Sequence, residues 1–305
     1  MANQKGRYCE RTTFERQHLS LLDLEDLGIV KKNLNNPIYP ELVEFRVEKV
    51  SHVTGESGLR AIFKDSGFRQ PPDLAANAQH NFIWWSLAIA SDDISSAEEH
   101  LLTSSFPHGS SAQNQPPIPE YFTSKAFQEK SAYGNFRFTF SLKELLWHYS
   151  KQFCYGQSPV LRVYETVFYK KEIQYTVVVH PRNVNLYDDC PRLPSRGDGV
   201  CGYSDGAMWW RCQAPSEASM KRFHGSVDDY KVYNVWDHVC VAFHMEPGWV
   251  LHVDWKRLFN RVNVCEVSYP QLLRHPDTPL SSNDAEDILA DLRAAMGYRP
   301  KPQTM

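Results

Sequence analysis

Apolar and polar residues alternate through LVEFRVEKVSHVT, residues 42–54, the period-two pattern of a half-buried strand. On that period Val50, His52 and Thr54 share one face. The following GESGLRAIFKDSGF changes to helical spacing. Leu59, Ile62 and Phe63 form its apolar stripe, and Gly67 stands where a left-handed cap would close the helix. NFIWWSLAI predicts a second strand and SDDISSAEEHLL a helix that Ser91 or Asp92 can cap. YGNFRFTFS reads as a strand feeding the helix SLKELLWHYSKQF, with Ser141 and Glu144 spaced as a capping box. PVLRVYETVFYK and EIQYTVVVHP then predict a hairpin.

Outside these elements the pattern is looser. An amphipathic run, LSLLDLEDLGIVKKNL, predicts a short helix within a polar segment, residues 1–40. TSSFPHGSSAQNQPPIPEYF is a long Pro/Ser/Gln-rich loop, and RNVNLYDDCPRLPSRGDG reads as a linker or ordered loop. Beyond it, one hairpin is expected around SDGAMWW. A second, HVCVAFHMEPGWVLHVDW, is expected to turn at Pro247-Gly248 as type II. NDAEDILADLRAAMG predicts a terminal helix with Asn283 at its cap and Gly297 at its exit. The chain is therefore expected to be α+β, with a core over residues 41–181 and a β-hairpin-rich extension with a C-terminal helix over residues 182–305.

Composition narrows the partners. A net charge of −3 in 305 residues gives no global attraction to nucleic acid or to an anionic membrane. The stretches MKRFHG, WKRLFNR and YKKE mix basic and aromatic residues, and against that balance they read as solvated faces. No apolar run approaches the length of a membrane span, and the first residues carry no apolar signal core. Seven cysteines, without compact spacing, fit a reduced cytosolic or nuclear protein better than a disulfide scaffold, and a cytoplasmic location is expected. His238, Cys240 and His244 share strand parity, with His252 on the expected partner strand. Their spacing is too open for a tetrahedral zinc site, and no metal is expected. Cys154 follows a helix C-terminus, where the dipole disfavours a thiolate.

Two short motifs carry the candidate chemistry: His52-Val53-Thr54 at a strand end, and Glu165-Thr166-Val167-Phe168-Tyr169 opening a later strand. In that order, over residues 43–181, they resemble the ADP-ribosyltransferase fold in its His–Tyr–Glu branch, found in poly(ADP-ribose) polymerases and some toxin-type transferases. The resemblance implies a split β-sheet core, NAD as substrate and cleavage of the nicotinamide–ribose bond. Glu165 would orient the ribose and stabilise oxocarbenium-like charge, His52 would donate to a ribose hydroxyl, and Thr54 would add a polar contact. The stacking tyrosine has no matching residue; Trp85 stands nearest, with Trp84 and Tyr133 as alternatives. Valine replaces the glycine of the family's H-G-T, where the nucleotide approaches the backbone.

Across most of the chain, FIWWSLAI, YGNFRFTFSLKELL, PVLRVYETVFYKKEIQY and VWDHVCVAFH also resemble fish proteins induced by virus or interferon, the grass-carp-reovirus-induced kind. That resemblance implies innate antiviral defence. A protein partner or acceptor is expected under either function. The residues leave two functions open. One is an NAD-dependent enzyme, or an NAD-binding relic of one, using His52, an aromatic and Glu165. The other is a non-catalytic interaction protein in which the same residues are structural. Glu165 on an alternating strand can equally face water, with Glu172 as available as itself.

Overall fold

The computed structural model describes residues 11–17, 43–70, 81–105, 130–131, 133–169, 172–195, 201–212, 238–267 and 280–299. The predicted helix near residue 24 and nearly all of the Pro/Ser/Gln-rich loop lie outside them. The fold is α+β. Its strands are β1 (Arg11–Glu15), β2 (Val43–Val47), β3 (Lys49–Thr54), β4 (Gly67–Phe68), β5 (Phe82–Leu87), β6 (Phe136–Ser141), β7 (Val160–Tyr169), β8 (Glu172–His180), β9 (Cys201–Ser204), β10 (Ala207–Cys212), β11 (His238–His244), β12 (Leu251–His252) and β13 (Val262–Val264). Its helices are α1 (Glu56–Asp65), α2 (Ser91–Ser105), α3 (Leu142–Phe153), α4 (Trp255–Arg261) and α5 (Ser282–Ala295).

Eight strands form one sheet in the order β1-β7-β8-β11-β5-β3-β6-β13. Only the β8–β11 pair is parallel; the other neighbours are antiparallel. The run that reads as one strand over residues 42–54 breaks at Glu48. β2 joins a three-stranded sheet, β2-β10-β9, while β3 enters the large one. Beyond the break, Ala88 N donates to Lys49 O and Leu142 N to Glu48 O, at 2.9 and 2.8 Å.

One face of the large sheet carries the main core. Val50, Trp85, Phe138, Val177 and Val241 alternate onto it, each 1% exposed or less. α1 closes it with Leu59, Ile62 and Phe63, and α3 with Leu145, Leu146 and Tyr149. The same cluster takes in Trp210 of β10, Phe259 of α4 and Leu289 of α5. Because β11 and β13 sit inside the large sheet, a boundary at residue 181 does not divide two cores.

Several local expectations shift. Pro247-Gly248 does turn, with Gly248 at φ +84° and Trp249 N donating to Glu246 O at 2.9 Å. The strands around that turn do not pair with each other: β11 inserts between β8 and β5, and β12 pairs β4. The β9–β10 hairpin forms as expected. Ser66, not Gly67, takes the left-handed position after α1. Gly67 instead lies against the Leu251 carbonyl, where a Cβ would collide. Ser141 makes no side-chain cap, and Glu144, in place of reaching back to the N-cap, is held by Arg257 at 2.9 Å and Arg261 at 3.2 Å. α5 is capped by Ser281, two residues before the expected Asn283.

Asn135, 3% exposed, ties β6 to the C-terminal part of the chain. Its amide donates to Cys265 O at 3.3 Å and Leu280 O at 3.0 Å, and its oxygen accepts from Leu280 N at 3.0 Å. Removing it leaves backbone groups without partners in a buried place. We expect Asn135→Ala to lower unfolding stability by about 2–3 kcal/mol, measured by urea denaturation. The first-turn amides of α5 should lose hydrogen-exchange protection in the same variant.

Candidate functional site

The large sheet opens where β3 leaves β5. The two strands pair only at Val50↔Leu87 and Ser51↔Ser86, while β3 stays paired with β6 out to Thr54. At the opening, His52 Nδ1 meets the Trp84 carbonyl at 2.8 Å, in place of a ladder hydrogen bond. A carbonyl only accepts, so Nδ1 carries the proton and Nε2 of the neutral ring is an acceptor. A neutral His52 would thus accept from a sugar hydroxyl at Nε2, where a donor was expected.

His52 pairs Phe138 across the ladder, which sets its ring on the main-core face. The ring lies 5.4 Å from both Phe68 and Trp85, centroid to centroid. Trp85, expected as a stacking platform, is 1% exposed and packs edge-on to Phe68 at 4.9 Å and Phe140 at 5.8 Å. Phe68, 1% exposed and fixed by the β4–β12 pairing, packs on the aromatic surface that a nicotinamide ring would need. The Trp85 indole N–H is buried and finds no hydrogen-bond acceptor among the described residues. Trp84, on the opposite face, is 41% exposed beside Phe82.

Thr54 ends β3 and abuts α1. A methyl group on Gly58 would overlap the Thr54 hydroxyl, so that hydroxyl lies against the first turn of the helix. Gly134, at φ +143°, presses on the Thr54–Gly55 peptide from the other side. The two glycines clamp the strand end and leave Tyr133, 57% exposed, next to it. His52, Thr54 and Tyr133 are therefore brought to one end of β3.

Glu165 is not. It lies on β7, four strand positions from β3, about 19 Å across the sheet at ordinary strand spacing. Tyr164 forms a bulge, after which Glu165 pairs Thr176, Thr176 pairs Cys240 and Cys240 pairs Ser86. This cross-strand row occupies the second face, opposite His52. The expected convergence of His52 and Glu165 on one sugar is corrected by parity and strand order together. Glu165 instead faces Glu15, its partner on β1.

Sequence reasoning passed over a polar network on that second face. Tyr187 is 1% exposed in a 3-10 turn, Asn185–Tyr187, within the stretch read as a linker or ordered loop. Its phenol meets His244 Nδ1 at 2.7 Å, and His244 Nε2 meets Glu246 Oε1 at 3.0 Å. The carboxylate fixes the Nε2–H tautomer, so Tyr187 donates. His180 is 1% exposed, with Nδ1 on Pro181 O at 2.8 Å and Nε2 accepting from Arg162 Nε at 3.1 Å. Burial holds its pKa down to about 4, with the Arg162 charge adding to the effect. Burial pushes the Tyr187 phenol up, so it is no nucleophile. The faint signal in the sequence was the spacing of Tyr187 and Cys190, both buried on Phe82, Val178 and Ala242.

The other candidates separate. Cys240 is buried, hydrogen-bonded to Ser86, and its thiol is pushed up to about 12. Burial likewise raises Cys154 to about 11. His252 stands on β12 and pairs Gly67. No group of three or more metal-ligating side chains occurs among the described residues. In WKRLFNR, Lys256 lies over the Trp255 ring, while Arg257 and Arg261 are engaged by Glu144. No helix among the described residues is long and apolar enough to cross a membrane.

Comparison with known proteins adds no relative: no protein-family model matches the chain, and neither does any curated protein or solved structure.

The contact between Thr54 and Gly58 gives a direct check on the β3 end. Gly58→Ala should cost about 1–3 kcal/mol through overpacking, measured by urea denaturation. Adding Thr54→Ala should restore most of the loss, a coupling absent when Gly58→Ala is paired with a distant substitution.

Proposed function

We propose that this chain is a non-catalytic interaction protein, the second of the two functions its sequence leaves open. The observation that carries the reading is the placement of His52 and Glu165 on opposite faces of one sheet, four strand positions apart. Stabilising an oxocarbenium-like sugar requires a carboxylate fixed within contact distance of the reacting carbon. No rotamer of Glu165 crosses the sheet. The packing of Phe68 on Trp85 argues in the same direction, since a nicotinamide ring would have to displace a buried phenylalanine. Work in antiviral defence follows from the resemblance to virus-induced fish proteins, a cytoplasmic setting from the cysteine usage, and both belong to this proposal together with a protein partner.

One observation favours a narrower second reading, NAD binding without turnover. The buried Trp85 N–H lacks an acceptor among the described residues, and His52, Thr54 and Tyr133 gather at the same end of β3. A ligand oxygen reaching that donor would satisfy it.

NAD hydrolysis and automodification should be measured for wild type and Glu165→Gln side by side. Both should stay within about twofold of the protein-free rate. Turnover in wild type that Glu165→Gln abolishes would restore the enzyme reading. Titration of NAD against tryptophan fluorescence divides the remaining two: a saturable change selects the binding reading, and a flat response the interaction protein.

A further inference from the structure

Past β8 the chain turns back along β7. Val163 N donates to Pro191 O at 2.8 Å and Leu193 N to Leu161 O at 3.0 Å, so residues 181–193 form a strap along the sheet. Its plug is Tyr187, seated on Phe82, Val178 and Ala242. The Tyr187 ring stands between two imidazoles, with centroids 4.9 Å from His180 and 5.4 Å from His244. Arg162 ties the strap down. It donates to Cys190 O at 2.7 Å, to Asp188 Oδ1 at 3.1 Å and to His180 Nε2 at 3.1 Å.

His180 has no room for a second proton. Nδ1–H already donates to Pro181 O, and Nε2 must stay bare to accept from Arg162. A proton on Nε2 would set N–H against N–H and one cation against another. We propose that residues 181–193 are an acid-sensitive strap, held shut by neutral His180 and released when protonation of that ring expels Arg162.

The charged and titratable groups around His180 agree with this. Arg162 on β7 and His244 on β11 both oppose a positive charge there. Asp188 on the strap favours one, yet its carboxylate is already held by Arg162. Tyr164 and Tyr187 are phenols that burial keeps neutral, and burial likewise raises the Cys190 thiol. Glu246 is engaged by His244. His244 is held on both ring nitrogens, Nδ1 by Tyr187 and Nε2 by Glu246.

The sign follows from linkage. His180 titrates lower in the closed form than the ordinary imidazole value of 6.5, so the open form binds more protons between 6.5 and about 4. The His180 contribution to closure is fully present well above 6.5 and is lost as pH falls through that window. At pH 5 the open population rises about 30-fold relative to pH 7.5.

Hydrogen exchange of the full chain at pH 7.5 and pH 5, corrected for intrinsic exchange, tests the strap directly. Amides of residues 187–193 should open about 30-fold more often at pH 5. In His180→Gln, whose amide oxygen can still accept from Arg162, that ratio should fall below about threefold. Equal opening at both pH values in wild type, or an undiminished acid effect in His180→Gln, would overturn the proposal. An NMR titration of the wild-type His180 ring needs no variant. A midpoint near 4 supports the strap, and one near 6.5 overturns it.

Discussion

The insertion of β11 is the constraint on which this molecule depends. Without it the large sheet would be two pieces, β1-β7-β8 and β5-β3-β6-β13. β11 joins them, parallel to β8 on one side and antiparallel to β5 on the other. Val239, Val241 and Phe243 bury completely in the main core, while Cys240 and Ala242 bury on the second face. A strand apolar on both faces is stable only between covered layers, and β11 has them. Side chains alternate with period two, so fixing the register of β11 fixes which face every neighbouring residue takes.

That register decides the chemistry. It sets Trp85 across from Val241 on the core face and Ser86 across from Cys240 on the other. Through β5 it places His52 with the aromatic cluster, and through β8 it places Glu165 with Thr176. The core side of the β3 opening is packed by Phe68, Trp85, Phe138 and Phe140, and the His52–Trp84 hydrogen bond locks its edge. The second face is where ionisable groups collect: Arg162, His180, Tyr187, His244 and Glu246 in one connected set.

Local structure was legible because its signals are local. The stripe Leu59, Ile62, Phe63 and the alternation of Phe136, Phe138 and Phe140 each announce an element without reference to the rest of the chain. The α+β class and the parity of His52 with Thr54 follow from the same periods. What could not be read is pairing between distant strands. HVCVAFHMEPGWVLHVDW has the apolar runs and the Pro-Gly turn of a hairpin, yet β11 gains more by filling the gap between β8 and β5 than by pairing its sequence neighbour. Glu165 was misplaced for the same reason, and further by the Tyr164 bulge, which one sequence does not announce. The Arg162–His180 lock joins two strands of a predicted hairpin, but its importance lies in a stretch that the sequence leaves open between linker and ordered loop.

NMR measurement of interstrand contacts around Val241 tests the central constraint most directly. The account predicts cross-strand backbone NOEs from Val241 to Val177 in the parallel pattern and to Trp85 in the antiparallel pattern. NOEs from β11 to Leu251 and His252 across the Pro247-Gly248 turn, with none to Val177, would show a hairpin in place of the insertion. The assignment of faces to His52 and Glu165 would then be wrong.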